Sequence, residues 1–428
     1  MGFNGSLDTG VTAGHYVRYN ASTNMNYKAG KVNFFLNYGH NSGDNYNFGF
    51  VERPGVNLQD FVFVNNNNSN LVKLGADFYL NDKNTLSVYT TQNWYKGLAS
   101  GRAIIFDTNG NQLINAPNTQ DNSVPTGTYN INYKVDFEKK GHNLEFEATY
   151  TNTDGTQFLD NQDKLDANSL NNYFNDITSK RDNTQINLDY TNPLTDKIKL
   201  ELGIEFRGDN TNNLNDTNQK INTTNGEEFV GNSDFDFGRE IYSAYVNYGQ
   251  TFEKITMQLG ARVENFLVDG LFNSYTDNSF NTLDDTKTID QSLFNVYPSA
   301  FFTYSPSEKN QWQLSYSRRV DRPGIQQVNP IREWSTPLIT SIGNPDLVPQ
   351  FTNSLELNYT RQIKGGNITV GTFYRQISDV ISRITSPDPT NPTVGQLLSF
   401  TNFNDTDAYG VEFSANFKMN KWWRVNSS

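Results

Sequence analysis

Side chains able to make or break bonds are few and scattered in this sequence. His15, His40 and His142 are the only histidines, and none has the His-x-x-x-His or Glu-x-x-His spacing that sets two metal ligands side by side. Cysteine is absent, which removes thiol nucleophiles, zinc ribbons and disulfide frameworks. There is no Gly-x-Ser-x-Gly elbow, no phosphate-binding Gly-Lys-Ser/Thr loop and no Gly-x-Gly-x-x-Gly after a strand. Neither a catalytic set nor a cofactor or metal site is expected. Binding groups are more evident. Arg318, Arg319 and Arg322 stand within five residues of one another, and such a cluster either holds an anionic ligand or ties a neighbouring loop down through its carboxylates. Pro323, Pro330, Pro345 and Pro349 follow closely, so the ordering role is the expected one, in a rigid irregular loop. The acidic groups Asp234, Asp236 and Glu240, and Asp284 with Asp285, lack calcium-loop spacing and read as solvated.

What must position these groups is a β framework. The charge of 34 basic against 46 acidic residues, net −12, repels phosphate backbones and excludes nucleic acid as a main partner. A mean hydropathy of −0.67 suggests a soluble or disordered chain, but the aromatic fraction of 14% contradicts disorder. No stretch reaches the roughly 18–20 apolar residues of a transmembrane helix. Hydrophobicity alternates with period 2 almost everywhere: Ile198, Leu200, Leu202, Ile204 and Phe206 share one face, and Lys199, Glu201, Glu205 and Arg207 the other. Such runs last about 9–13 residues, longer than the usual strand of about 5–6. Every other connection is a tight turn of Gly, Pro, Asn or Asp, as in Lys28–Lys31, Asn81–Asn84, Lys139–His142 and Lys364–Asn367. Between these lie long polar stretches, roughly 42–69, 97–126, 155–182, 210–238, 269–291, 320–350 and 380–406.

Long connections at one end and short ones at the other predict an all-β, transmembrane, antiparallel up-and-down β-barrel of about 17 strands in the bacterial cell outer membrane. Its first strands are expected at 2–10 and 15–27, and its last begins near Trp422. The opposite face would place Lys134, Asp136, Glu145, Glu147, Lys199, Glu201, Glu205, Arg207, Arg262 and Glu264 toward the lumen. In the long connections Phe61, Phe63, Trp94, Tyr95, Phe106 and Trp334, with Arg318, Arg319 and Arg322, are candidate ligand contacts.

The run Gln311-Trp-Gln-Leu-Ser-Tyr-Ser-Arg-Arg-Val-Asp-Arg-Pro323, then Asn329-Pro330, then Gly343-Asn-Pro-Asp-Leu-Val-Pro-Gln-Phe-Thr-Asn-Ser-Leu-Glu-Leu-Asn-Tyr359, resembles the barrel of TonB-dependent outer-membrane receptors of the Bacteroidetes type. Gly2-Phe-Asn-Gly-Ser6 resembles the junction between that family's plug and its first barrel strand, while Gln350 stands where the family is expected to carry Glu. The resemblance implies a wall of 22 strands, so residues 1–428 are expected to be a partial barrel domain lacking signal peptide, plug and last strands. It further implies active transport of a nutrient such as an iron chelate, oligosaccharide, peptide or corrinoid. The implied partners are outer-membrane lipid, a plug domain of the same full-length protein, the TonB energy-transducing complex and a surface lipoprotein. A passive porin-like channel, or a soluble β-rich adhesin or sugar-binding module, is the alternative.

Overall fold

The computed structural model describes residues 2–427 apart from 165–169, 224–225, 230, 278, 337, 390 and 421. One antiparallel sheet dominates. It begins with β1 (Gly2–Ala13), β2 (Val17–Ala29), β3 (Val32–Arg53), β4 (Asn57–Asn81), β5 (Asn84–Phe106), β6 (Gln112–Asp136), β7 (Asn143–Lys164), β8 (Leu170–Asn192) and β9 (Ile198–Thr217). A small hairpin of β10 (Lys220–Thr223) and β11 (Gly226–Phe229) stands apart before the wall resumes with β12 (Ser233–Thr251), β13 (Ile255–Tyr275), β14 (Leu283–Ser307) and β15 (Asn310–Asp321). After the one-turn helix α1 (Ile325–Val328), β16 (Glu333–Thr336) and β17 (Ile339–Ser341) come β18 (Gln350–Ile363) and β19 (Gly366–Ser378). Beyond β20 (Val380–Asp388) and β21 (Asn391–Phe403), the wall ends with β22 (Thr406–Lys418) and β23 (Arg424–Ser427).

Seventeen of these strands form the wall, each paired to its neighbours in chain order when β10, β11, β16, β17, β20 and β21 are set aside. β1 pairs with β2 and β23 with β22, and no ladder joins β1 to β23 among the described residues, so the meander is not closed.

Period-2 alternation gives the wall two unlike faces. Across the strands Leu188, Ile204 and Ala244 fall in register on one face, while Asn187, Glu205, Ser243 and Glu264 fall in register on the other. The first face is exposed although it is apolar: Ile204 is 57% accessible, Phe294 69% and Val411 72%. A continuous apolar surface of this kind needs lipid as its solvent. Tyr19 and Tyr27, both exposed on β2, are eight residues apart, about 26 Å at roughly 3.3 Å per residue, close to the height of a barrel's apolar band.

Most of the stretches expected as loops are ribbons. Residues 42–69 continue the β3–β4 ladder out to the pair Arg53↔Asn57, and 97–126 continue the β5–β6 ladder past a tip at 107–111. Wall strands β3 to β14 therefore run 19–25 residues rather than 9–13. Outside the bilayer both faces meet water, so alternation fades from the sequence while the backbone ladder, indifferent to side-chain polarity, continues. The connections after β15 and after β19 depart from this rule, folding inward with α1 and four short strands instead of remaining irregular.

Candidate functional site

The buried apolar core lies inside the curl of the wall. Phe235, Phe237 and Ile241 of β12, Phe266, Val268 and Phe272 of β13 and Ile289 of β14 form it together with Val328, Ile331 and Leu347 from the connection 322–349. Phe235 is 0% accessible and Leu347 1%, and Ile381 of β20 and Phe400 of β21 pack against the same cluster. The connection packs Val328, Ile331 and Leu347 against the apolar inner face of β12–β14, which removes both from water.

Prolines and the one-turn helix interrupt the wall ladder, and the backbone finds other partners. Gly343 N donates to Asn329 O at 2.9 Å and Asn344 N to Gln327 O at 2.6 Å, so the Asn329-Pro330 and Gly343-Asn-Pro345 segments are zipped together. A Cβ at residue 343 would sit 2.4 Å from the Asn329 carbonyl oxygen, which is why glycine is needed there. The two connections share a four-stranded sheet in the order β16-β17-β21-β20, with β17 and β21 parallel. Asn402 clamps them: its Nδ2 donates to Val348 O at 3.0 Å and Asp379 O at 2.7 Å, and its Oδ1 accepts from Val348 N at 2.9 Å. This unit bridges distant parts of the wall. Gln291 Nε2 of β14 donates to Leu347 O at 3.0 Å, and Thr336 Oγ1 donates to Gln59 Oε1 of β4 at 2.8 Å. The face it covers is therefore the concave one.

Arginines and carboxylates line that face below the folded-in unit. Arg262 donates from Nη2 to Glu205 Oε2 at 2.5 Å and to Ser243 Oγ at 2.7 Å, and from Nε to Glu264 Oε1 at 2.7 Å. Arg322, at the root of the inward connection, pairs with the other Glu264 oxygen and lies 5.2 Å from the Phe266 ring centre. Arg207 also pairs with Glu205. Four residues further along the same β9–β12 ladder, Arg239 donates to Asp209 Oδ2 from Nη2 at 2.5 Å and from Nε at 3.0 Å, with Arg181 Nη2 3.6 Å from Oδ1. The carboxylates of Asp209, Glu205 and Glu264 are nearly buried, so removing an arginine partner would leave a costly unpaired charge.

The charged residues singled out in the sequence share this concave face. Lys134 is in register with Glu145, Asn132 with Glu147 and Asp136 with Asn143. Lys199 pairs with Glu201, and Glu205, Arg207, Arg262 and Glu264 enter the network above. The three arginines of the 311–359 block separate. Arg322 reaches the network, Arg318 lies 5.0 Å from the Phe351 ring centre, and Arg319 stands opposite Thr352 at the exposed end of β15.

Among the aromatic candidates, Phe61 and Phe63 lie on the Gln59 face of β4 with ring centres 6.2 Å apart, and Tyr95 donates to Asn67 Oδ1 at 2.7 Å. Trp94 is half exposed on the opposite face, Phe106 closes the β4–β5 ladder opposite Leu58, and the Trp334 side chain lies outside the described residues. The histidines stay apart: His15 stacks on Tyr46 at 4.3 Å, His40 Nδ1 is 2.9 Å from Asn70 Oδ1, and His142 Nε2 is 2.9 Å from Tyr190 Oη. Asp234 and Asp236 accept hydrogen bonds from Tyr275 and Asn212, and Glu240 from Tyr242.

Sequence reasoning did not single out Asp209, Arg181 or Arg239. The odd-numbered polar series of β9 that contains Glu205 and Arg207 does continue into Asp209, which is the signal that could have found it.

Comparison with solved structures returns the same architecture. The copper transporter OprC superposes with a TM-score of 0.61 at 11% identity, over 99% of this chain and 59% of its own. The ferric-catecholate import receptor Fiu of E. coli gives 0.60 at 12%, over 98% and 63%. The Serratia marcescens hemophore receptor HasR gives 0.59 at 12%, over 97% and 60%. The chain thus spans about three fifths of the proteins it matches, and the likeness is one of fold. No curated protein matches its sequence. The model of the outer membrane protein beta-barrel family matches residues 135–428, more than half of the chain. Its exposed apolar face, meandering wall and family match agree: the chain belongs to the outer membrane protein β-barrel family.

Proposed function

We propose that this chain is most of the wall of an energised outer-membrane importer, working by specific binding followed by gated passage, with no bond made or broken. The full-length protein would add a plug filling the bore and a segment contacting the TonB complex, which supplies the force that moves the plug. The observation that carries this reading is the set of mixed-sign ion pairs on the concave face, Lys134 with Asp136, Lys199 with Glu201, Arg207 with Glu205 and Arg262 with Glu264. Paired charges of this kind suit an interface that a second folded body makes and breaks, whereas a passive pore profits from unpaired charge facing water. The 311–359 block supports the narrower assignment to the TonB-dependent receptors of the Bacteroidetes type.

In this proposal the nutrient enters from the side of the long ribbons. Phe61, Phe63 and Tyr95 on the concave side are offered as ring contacts, and the folded-in unit narrows its path. An iron chelate, oligosaccharide, peptide or corrinoid fits such a wall, and a surface lipoprotein could deliver it.

The test is uptake by cells carrying the full-length gene, with and without an intact inner-membrane energy complex. Uptake should fall to background when that complex is deleted. Uptake indifferent to the deletion would mark a passive channel, and full-length protein that stays soluble without detergent would mark an adhesin.

A further inference from the structure

A cavity of about 480 Å³ lies between the wall and the folded-in connection, lined by Arg181 of β8, Asp209 and Thr211 of β9, Phe237 and Arg239 of β12, and α1 with its flanking Gly324. Its size is that of a small-ligand pocket. Two guanidinium groups and one carboxylate make up its charged lining, an excess of one positive charge in a chain whose net charge is −12. The neighbouring network has the same sign, with Arg207, Arg262 and Arg322 against Glu205 and Glu264.

The donors are not used up. A guanidinium carries five N–H groups, and Arg239 commits Nε and one Nη2 hydrogen to Asp209 while Nη1 makes no hydrogen bond among the described residues. Among the described residues Arg181 is held by a 3.6 Å approach to Asp209 alone, and its side chain is 46% exposed. Guanidinium N–H groups left over on the lining of a cavity point to an occupant that accepts hydrogen bonds. Beside Arg239 on the same face of β12 stands Phe237, and Ile325 of α1 adds to the lining, which gives an apolar surface for the body of the same ligand.

We propose that this cavity is a binding site for an organic carboxylate: the carboxylate engages the free N–H groups of Arg181 and Arg239, and its apolar body lies against Phe237 and Ile325. A carboxylate fits better than a phosphate dianion because the excess is a single charge and the guanidinium fork matches a planar oxyanion. The proposal names a ligand class for the transport reading and rests on it for its biological meaning. Since α1 closes one side, the carboxylate would also fasten the inward connection to the wall.

The experiment is calorimetric titration of the detergent-solubilised full-length protein with benzoate and, separately, benzamide, which keeps the ring and loses the charge. Benzoate should bind at least tenfold more tightly than benzamide. Arg181→Gln should weaken benzoate roughly tenfold, Arg181→Lys less, and Lys180→Gln, on the opposite face of β8, not at all. Heat-modifiable gel mobility confirms that each variant is folded. Equal binding of the two probes, no binding of benzoate, or an Arg181→Gln variant that binds benzoate normally would overturn the site. The titration needs no energy source, so its outcome is independent of whether uptake proves passive or energised.

Discussion

Residues 42–69 and residues 322–349 both leave the wall on the same side and are of similar length, yet one stands up as a ribbon and the other folds into the bore. The first is rich in Asn and Gly, and its ladder runs without a break to a turn at 54–56. The second carries five prolines between 323 and 349, each unable to donate to a ladder, and the apolar residues Ile325, Val328, Ile331, Leu338 and Leu347. Length is therefore not what decides. A segment whose backbone can pair extends the sheet even where it exposes Phe48 and Phe50, while one whose pairing is broken by proline folds back and packs its apolar side chains with Phe235, Phe266 and Phe272.

The largest expected break of this contrast is Phe235→Ala, a cavity at the centre of the shared cluster costing roughly 3–5 kcal/mol. Hydrogen exchange should rise by orders of magnitude in 322–349 while the β3–β4 ribbon is unchanged. If both regions loosen together, the inward unit is part of the wall's own cooperativity and the contrast fails.

Arg322→Met is the next in size. It removes one of two arginines from Glu264, whose remaining partner Arg262 limits the loss to the lower end of the range for a buried pair, about 2 kcal/mol. Protease should then cut the connection near Arg332 without unfolding the barrel; resistance equal to wild type would make the pair dispensable.

The smallest effect belongs to a ribbon tip. Asn111, by side chain and backbone, and Asn109 donate to Asp107 at 2.8 Å, holding its carboxyl below the usual carboxylate range. Its contribution is thus fully present above the ordinary Asp pKa of about 3.9 and lost as pH falls through the depressed folded value. Amide exchange at 107–111 should quicken only at such acidity, and in Asp107→Ala at every pH. Acid-insensitive exchange in the wild type would remove this capping role.

Most of the wall was legible from residue types. Ile198 to Phe206 announces its apolar face by simple alternation, and turns such as Lys28–Lys31 mark where strands reverse, so the expected number of strands agrees with the seventeen observed. Strand length was less legible, because beyond the bilayer Asn-rich ribbons have no alternation to betray them. The candidate site was half legible: Glu205, Arg207, Arg262 and Glu264 fall on the right face by parity. Which arginine meets which carboxylate did not follow from spacing, since Arg322 and Glu264 are 58 residues apart.

By itself, then, the sequence determined the class of fold, the two faces and the order of strands, because each depends on neighbours one or two residues away or on the composition of a turn. Only the tertiary structure decided that the connections after β15 and β19 merge into one sheet inside the curl, with Thr336 reaching Gln59 across 277 residues. The reason is physical: local pairing preferences are written in adjacent residues, while a buried cluster and its ion pairs exist only once the wall has curved and brought distant strands to the same enclosed space.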